Sequence, residues 1–203
     1  MAGSAVLFAL VAVACIGDES LKGTVLDGDP APLFDLRNQF DQVVALDDYS
    51  GDVVLLTFLY TYCLDVCPVV TDHLRTVHEL LLDDSKRVNF VAISVDPERD
   101  TVERALEYSE LWRMLDKWDF LVGQPNVLAP IWSSYYLDPQ QIKWTDGDGP
   151  APVGQDDAST KVLRRQISKQ YEVGHVTPVY LLDNQRRMRV LFTPPLVPSE
   201  IVH

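Results

Sequence analysis

The run Val53-Val54-Leu55-Leu56-Thr57-Phe58-Leu59-Tyr60 constrains this chain more than any other segment. It is nearly continuous in apolar, β-favouring residues, as a strand must be when both its faces are covered. Two cysteines, Cys63 and Cys67, follow at once, and Cys67-Pro68 reads as a helix start, with Pro68 at the first helical position where its missing N–H costs nothing. Val70, Leu74, Val77 and Leu81 continue at helical spacing and predict one buried stripe ending near Asp83.

The same alternation of strand and helix runs through the middle of the chain. Val88 to Val95 predicts a second buried strand, left through Asp96-Pro97. Asp100 with Glu103 forms a capping-box pattern for a helix to about Leu115. A strand at Trp118 to Val122 and a helix from about Asn126 to Tyr136 complete a β-α-β-α-β-α order, which places the chain in the α/β class. Before this core, Leu33 to Leu36 and Val43 to Leu46 predict a β-hairpin; after it, Val179 to Leu182 and Met188 to Phe192 predict another. Asp138 to Ser159 is turn-rich and acidic and reads as a surface loop insertion.

The N-terminus obeys different rules. Ala5 to Ile16 is an unbroken apolar run of twelve, short of the ~20 residues that a spanning helix needs, and reads as a signal-peptide core. Ala12 and Ala14 form an A-x-A processing pattern, and Cys15 follows as in a lipoprotein signal, where the cysteine is acylated; a cleaved soluble export signal is the alternative. Both put the protein outside the cytoplasm, in the periplasm or cell envelope, and the first anchors it to the membrane. The expected organisation is a signal at 1–16, a linker at 17–30 and one domain at 31–203 with the insertion at 138–159. The chain has 203 residues, 47% of them hydrophobic, enough for a single core. Its formal charge of -13 argues against nucleic acid as a ligand.

Cys63 and Cys67 are the only cysteines in the folded body, since Cys15 belongs to the signal. At a strand-to-helix handover their sulfurs meet free N–H groups and the positive helix end, which favour thiolate, the form that binds soft metals. Two inert cysteines one helical turn apart are the plain alternative.

The segment Tyr60-Thr61-Tyr62-Cys63-Leu64-Asp65-Val66-Cys67-Pro68 resembles the Y-T-x-C-P-D-V-C-P signature of the Sco/SenC copper chaperones of cytochrome c oxidase assembly. Val91 to Thr101, with Asp96-Pro97-Glu98-Arg99-Asp100-Thr101, resembles the family's strand and D-P-x-R-D-T turn. Tyr171-Glu172-Val173-Gly174-His175, with Tyr180 five residues later, is similar to its Y-x-V-D-H segment. The resemblance covers about Gly28 to Phe192 and implies a thioredoxin-like fold: a mixed central sheet flanked by helices. It also implies copper, as Cu(I) or Cu(II), held by Cys63, Cys67 and His175, and delivery to a respiratory oxidase copper-site subunit or another copper protein. Thiolates suit Cu(I) and an imidazole suits Cu(II).

Three departures bear on that implication. Leu64 stands where the family has Pro, Gly174 stands where it has the Asp before the histidine, and Ser199 to His203 reach only the beginning of its final helix, which leaves one sheet face short of cover. Thr177-Pro178 corresponds to the place where thioredoxin-like enzymes carry a cis-proline facing their cysteines, a trans proline entering a strand being the ordinary alternative. His73, His78 and His203 read as surface residues, and Asp96 and Arg99 as structural residues near the cysteine edge.

Two rival functions remain. In one, the chain is a thiol–disulfide oxidoreductase with Cys63 attacking and Cys67 resolving, the two then being catalytic. In the other, a thiol peroxidase, Thr61 precedes Cys63 by two residues, but no matching upstream proline or arginine is evident.

Overall fold

A computed structural model describes residues 22–143 and 171–202. The expected signal at 1–16 with Cys15, the linker up to residue 21, residues 144–159 of the insertion and His203 lie outside the described residues.

In chain order the elements are β1 (Thr24–Val25), β2 (Asp35–Arg37), β3 (Val43–Ala45), β4 (Val53–Leu59), α1 (Val66–Leu81), β5 (Val88–Ser94), α2 (Val102–Leu111), β6 (Trp118–Leu121), α3 (Pro125–Ser134), β7 (Gln140–Lys143), β8 (Tyr171–Gly174), β9 (Val179–Leu182), β10 (Met188–Phe192) and α4 (Pro198–Ile201). Six strands form one sheet in the order β1-β10-β9-β4-β5-β6. The β4, β5 and β6 strands run parallel, joined by helical crossovers, while β9, β10 and β1 are antiparallel to their neighbours. This is the mixed α/β sheet that the strand–helix alternation predicts. None of the described helices is long and apolar enough to cross a membrane.

The apolar run from Val53 supplies a central strand of this sheet. β4 pairs with β5 from Val53↔Val88 to Leu59↔Ser94 and with β9 from Val54↔Leu182 to Thr57↔Val179. Its side chains from Val54 to Leu59 are buried. On one face Phe58 packs against Tyr135, with ring centroids 5.3 Å apart, and edge-on against Tyr180. The Tyr180 hydroxyl donates to the Tyr135 carbonyl at 2.7 Å, so the ring's one polar atom is satisfied inside the core. On α1, the stripe of Val70, Leu74 and Val77 is buried as its spacing predicts.

The N-terminal hairpin forms as β2 and β3, a separate two-stranded sheet. Its turn is organised by Asn38, whose Oδ1 accepts from the N–H groups of Phe40 and Gln42 at 3.0 Å each. Four expectations need correction. Residues assigned to a linker up to 30 include β1, which extends the central sheet beyond β10. Gly23 precedes it at φ +85°, and a Cβ there would stand 2.9 Å from Phe192 and Val190, so the closeness of this edge requires glycine. Second, the insertion expected from Asp138 begins with a strand, β7, paired with β8 from Gln140↔Gly174 to Lys143↔Tyr171. That two-stranded ribbon carries His175 at its end. Third, α2 is capped by Thr101, whose Oγ1 accepts from Arg104 N–H at 3.2 Å, and not by Asp100, which is drawn inward by buried partners. Fourth, α4 packs against α1 and buries Ile201, so the short C-terminal segment does cover part of the sheet's helical layer.

Truncating Phe58 to alanine removes the ring that Tyr135 and Tyr180 enclose. A loss of about 3–5 kcal/mol is expected, read as a lower urea midpoint with an unchanged slope.

Candidate metal centre

The parallel pair β4–β5 fixes where the chemistry sits. Both strands end together, and the Val95 N–H donates to the Leu59 carbonyl at 2.9 Å, so the loops that follow leave from one carboxyl edge. The first loop carries Cys63 and leads into α1 with Cys67 in its first turn; the second is the Asp96–Asp100 turn. They are tied by Asp100. Its Oδ1 accepts from the Thr61 N–H at 3.0 Å and the Thr61 hydroxyl at 2.6 Å, and its Oδ2 accepts from the Ser94 hydroxyl at 2.6 Å. Burial pushes its carboxyl up to about 7, against the hydrogen bonds from Ser94 and Thr61 that lower it. With its hydroxyl spent on Asp100, Thr61 is not aimed at Cys63, which removes the geometric basis for a thiol peroxidase.

Both cysteines are free thiols. Cys63 is 3% exposed and Cys67 fully buried. The Cys67 N–H points at the Cys63 sulfur, 3.4 Å away. Donation from the Cys67 thiol, aided by N–H groups of Cys67 and Asp65 and by the Tyr60 hydroxyl, lowers Cys63 to about 7 in spite of burial. Burial, then the Cys63 sulfur, pushes Cys67 well up. The pair is therefore unequal: one sulfur holds charge near neutral pH and the other keeps its proton.

Tyr60 joins this pair to the third expected donor. The Val173 N–H donates to its hydroxyl oxygen at 3.4 Å, leaving the O–H to donate to the Cys63 sulfur. Its ring meets the His175 imidazole edge-on, with centroids 5.7 Å apart. His175 Nδ1 lies 2.7 Å from the Val176 carbonyl oxygen, which can only accept, so the proton belongs on Nδ1 and the lone pair on Nε2. Nε2 is buried with no partner. Burial also lowers the imidazole's pKa, keeping it neutral. The structure thus brings Cys63 and Cys67 together and holds His175 against the Tyr60 ring; no preassembled group of three metal-holding side chains is present among the described residues. The donor set fits a soft metal: a low-pKa thiol, a second sulfur beside it, and an imidazole nitrogen with a free lone pair.

Thr177-Pro178 is trans, the cis bond among the described residues being Pro194-Pro195. The Pro178 carbonyl accepts from the Thr57 hydroxyl at 2.9 Å, which ties the His175 loop to β4. His73 and His78 are half-buried on α1 rather than at its surface, His78 about three turns along the helix from Cys67 and packed against the Phe90 ring at 5.6 Å. A Cβ at Gly174 would come 2.7 Å from the Ile142 Cδ1, so a side chain at that position displaces the β7 neighbour. Sequence reasoning gave Asp100 and Tyr60 no role of their own. Asp100 was hidden by its helix-cap spacing, and Tyr60 by reading as the last residue of a buried strand.

A family model described as SCO1/SenC matches residues 27–203. The chain belongs to the SCO1/SenC family. Among curated proteins it is similar to the SCO1 protein homolog of Bacillus subtilis (strain 168), 32% identical over 91 residues, 44% of this chain and 47% of that protein. The matching stretch thus spans about half of the relative's length. Among solved structures it is similar to the copper-bound ScoI of Bradyrhizobium japonicum, with a TM-score of 0.67 and 26% identity over 85% of this chain and 95% of that one. The thioredoxin domain of a thiol-disulfide oxidoreductase from Bacteroides vulgatus aligns with a TM-score of 0.55 at 16% identity, over 88% of this chain and 94% of that one, a likeness of fold alone. The family and the thioredoxin-like fold are therefore those that the cysteine and histidine segments implied.

Two pH effects follow. Cys63 alkylation by iodoacetamide should rise with pH through a midpoint of about 7, and Tyr60→Phe, which removes a donor to the sulfur, should move that midpoint upward. The Asp100 carboxyl, raised from 3.8 to about 7, stabilises the fold most below pH 3.8; that contribution falls as pH rises and is gone above 7. Asp100→Asn keeps an acceptor for Thr61 and should abolish this slope in denaturant melts between pH 4 and 7.

Proposed function

We propose that this SCO1/SenC chain is an extracytoplasmic copper chaperone that holds copper through Cys63, Cys67 and His175 and passes it to a copper site of a respiratory oxidase. The observation that carries this reading is the His175 Nε2, a buried lone pair without a partner, on a ring packed edge-on against Tyr60 beside the cysteine pair. It sits one aromatic ring from a sulfur that is charged near neutral pH. Two sulfurs suffice for Cu(I), and adding the imidazole suits Cu(II). His175 standing off the sulfurs is consistent with a donor that joins and leaves as the cargo changes state. Copper in the related Bradyrhizobium japonicum structure supports the choice of metal. Export with an acylated Cys15 would hold the protein at the membrane where such oxidases reside; mass spectrometry of the mature N-terminus tests it.

The inequality of the two thiols supports a second reading, thiol–disulfide exchange. The Cys63 thiolate attacks a substrate disulfide and expels one substrate thiolate. Cys67 then gives up its proton and attacks Cys63, releasing the second substrate thiolate; two electrons pass to the substrate and a Cys63–Cys67 disulfide remains.

The purified chain, loaded anaerobically with Cu(I) or Cu(II), is expected to take up one equivalent. Cys63→Ser and Cys67→Ser should lose both ions, and His175→Ala should lose Cu(II) on the order of 10–100-fold more readily while retaining Cu(I). A wild type that takes up no copper yet reduces a disulfide substrate, with His175→Ala unaffected, replaces the first reading with the second.

A further inference from the structure

One cation touches both halves of the proposed site. The Arg99 guanidinium carbon lies 3.8 Å from the Tyr171 ring centroid, 5.0 Å from that of Tyr62 and 5.8 Å from that of Tyr60. Tyr60 and Tyr62 lead into Cys63, whereas Tyr171 opens the strand that His175 follows. Arg99 Nη1 donates to the Tyr171 carbonyl at 3.0 Å, and its Nε pairs with the carboxylate of the buried Asp96. The same carboxylate accepts from the Tyr171 hydroxyl at 2.7 Å through its other oxygen. The guanidinium, the carboxylate and the phenol therefore form a closed clasp, with Tyr171 gripped at its backbone, its ring face and its hydroxyl.

We propose that Arg99 is the positioning residue that holds the β7–β8 ribbon against the cysteine loop and so sets where the His175 imidazole stands. The ribbon has no place in the six-stranded sheet. Among the described residues, its anchors near the cysteine loop include this clasp, a 3.4 Å hydrogen bond from the Tyr171 hydroxyl to Glu98, and the Val173–Tyr60 hydrogen bond. Tyr60 is itself under the guanidinium and packs on the imidazole, so Arg99 reaches His175 along two routes: down the strand from Tyr171, and through the Tyr60 ring. An arginine is needed because one planar fork must face a ring, a carboxylate and a carbonyl at once; lysine keeps the charge but supplies a point donor on a flexible stem.

This inference rests on the ligand assignment for its copper readout only. In the metal-free chain, Arg99→Gln should speed hydrogen exchange at the Val173 amide on the order of tenfold or more and mix the two tautomers of His175 in imidazole 15N spectra. Arg99→Lys should recover part of both. In the chain loaded with Cu(II) sulfate, Arg99→Gln should weaken binding on the order of 10–100-fold and reduce the nitrogen coupling in the EPR spectrum toward that of His175→Ala, with Cu(I) uptake unchanged. If Arg99→Gln does not fold, Arg99→Lys and Tyr171→Phe decide, each expected to give partial loss of protection and of coupling. Wild-type exchange and tautomer in the metal-free Arg99 and Tyr171 variants overturn the positioning role whatever copper does. A His175→Ala protein with unaltered nitrogen coupling instead removes the ligand assignment and leaves the metal-free result standing.

Discussion

The whole cysteine edge depends on β4 being paired along both of its sides. Parallel pairing with β5 brings two strand ends to one level, and antiparallel pairing with β9 fixes the strand that follows the histidine. Loops leaving such an edge have their first residues set by the sheet. Only then can a short loop place one sulfur against the first N–H groups of a helix. The aromatic packing of Phe58 beneath the edge and the Asp100 clasp on Thr61 and Ser94 keep that geometry in a dry interior, where each donor to the Cys63 sulfur counts for more than it would in water.

Buried ionisable groups are unusually dense here. Asp100, Asp96 and the two cysteines lie within adjoining loops, and each is given a different solution: hydroxyl and amide donors for Asp100, a guanidinium and a phenol for Asp96, sulfur and backbone donors for Cys63, a retained proton for Cys67. Repulsion remains among them, Asp96 raising Asp100 and Asp100 raising Cys67, and these separate partners offset part of it. It also accounts for the tyrosines around them, which supply hydroxyl donors and ring faces without adding charge.

Much of this was legible from residue order. The apolar run, the helical stripe and the two hairpins each carry a period that only one local structure satisfies, and their elements stand where expected. The cysteine pair was legible because strand-to-helix junctions have a known polarity. What the sequence hides is long-range. The β7–β8 ribbon joins segments whose separate patterns are too short to announce strands, and β1 spans only two residues. Asp100 occupies a position that suits a helix cap equally well, and its burial depends on Thr61 and Ser94 arriving from other strands. The contact of His175 with the Tyr60 ring is one that no spacing rule places.

The carbonyl of Val176 that orients the imidazole has an effect of its own. Metal-binding histidines are commonly backed by an anion, which pushes electron density into the ring and tightens its hold on a cation. A neutral peptide oxygen aligns the ring and pushes less than an anion would, and Gly174 adds no carboxylate at the preceding position. On the copper reading the imidazole is a correctly aimed donor whose basicity is lowered by burial, against the Val176 carbonyl, which raises it.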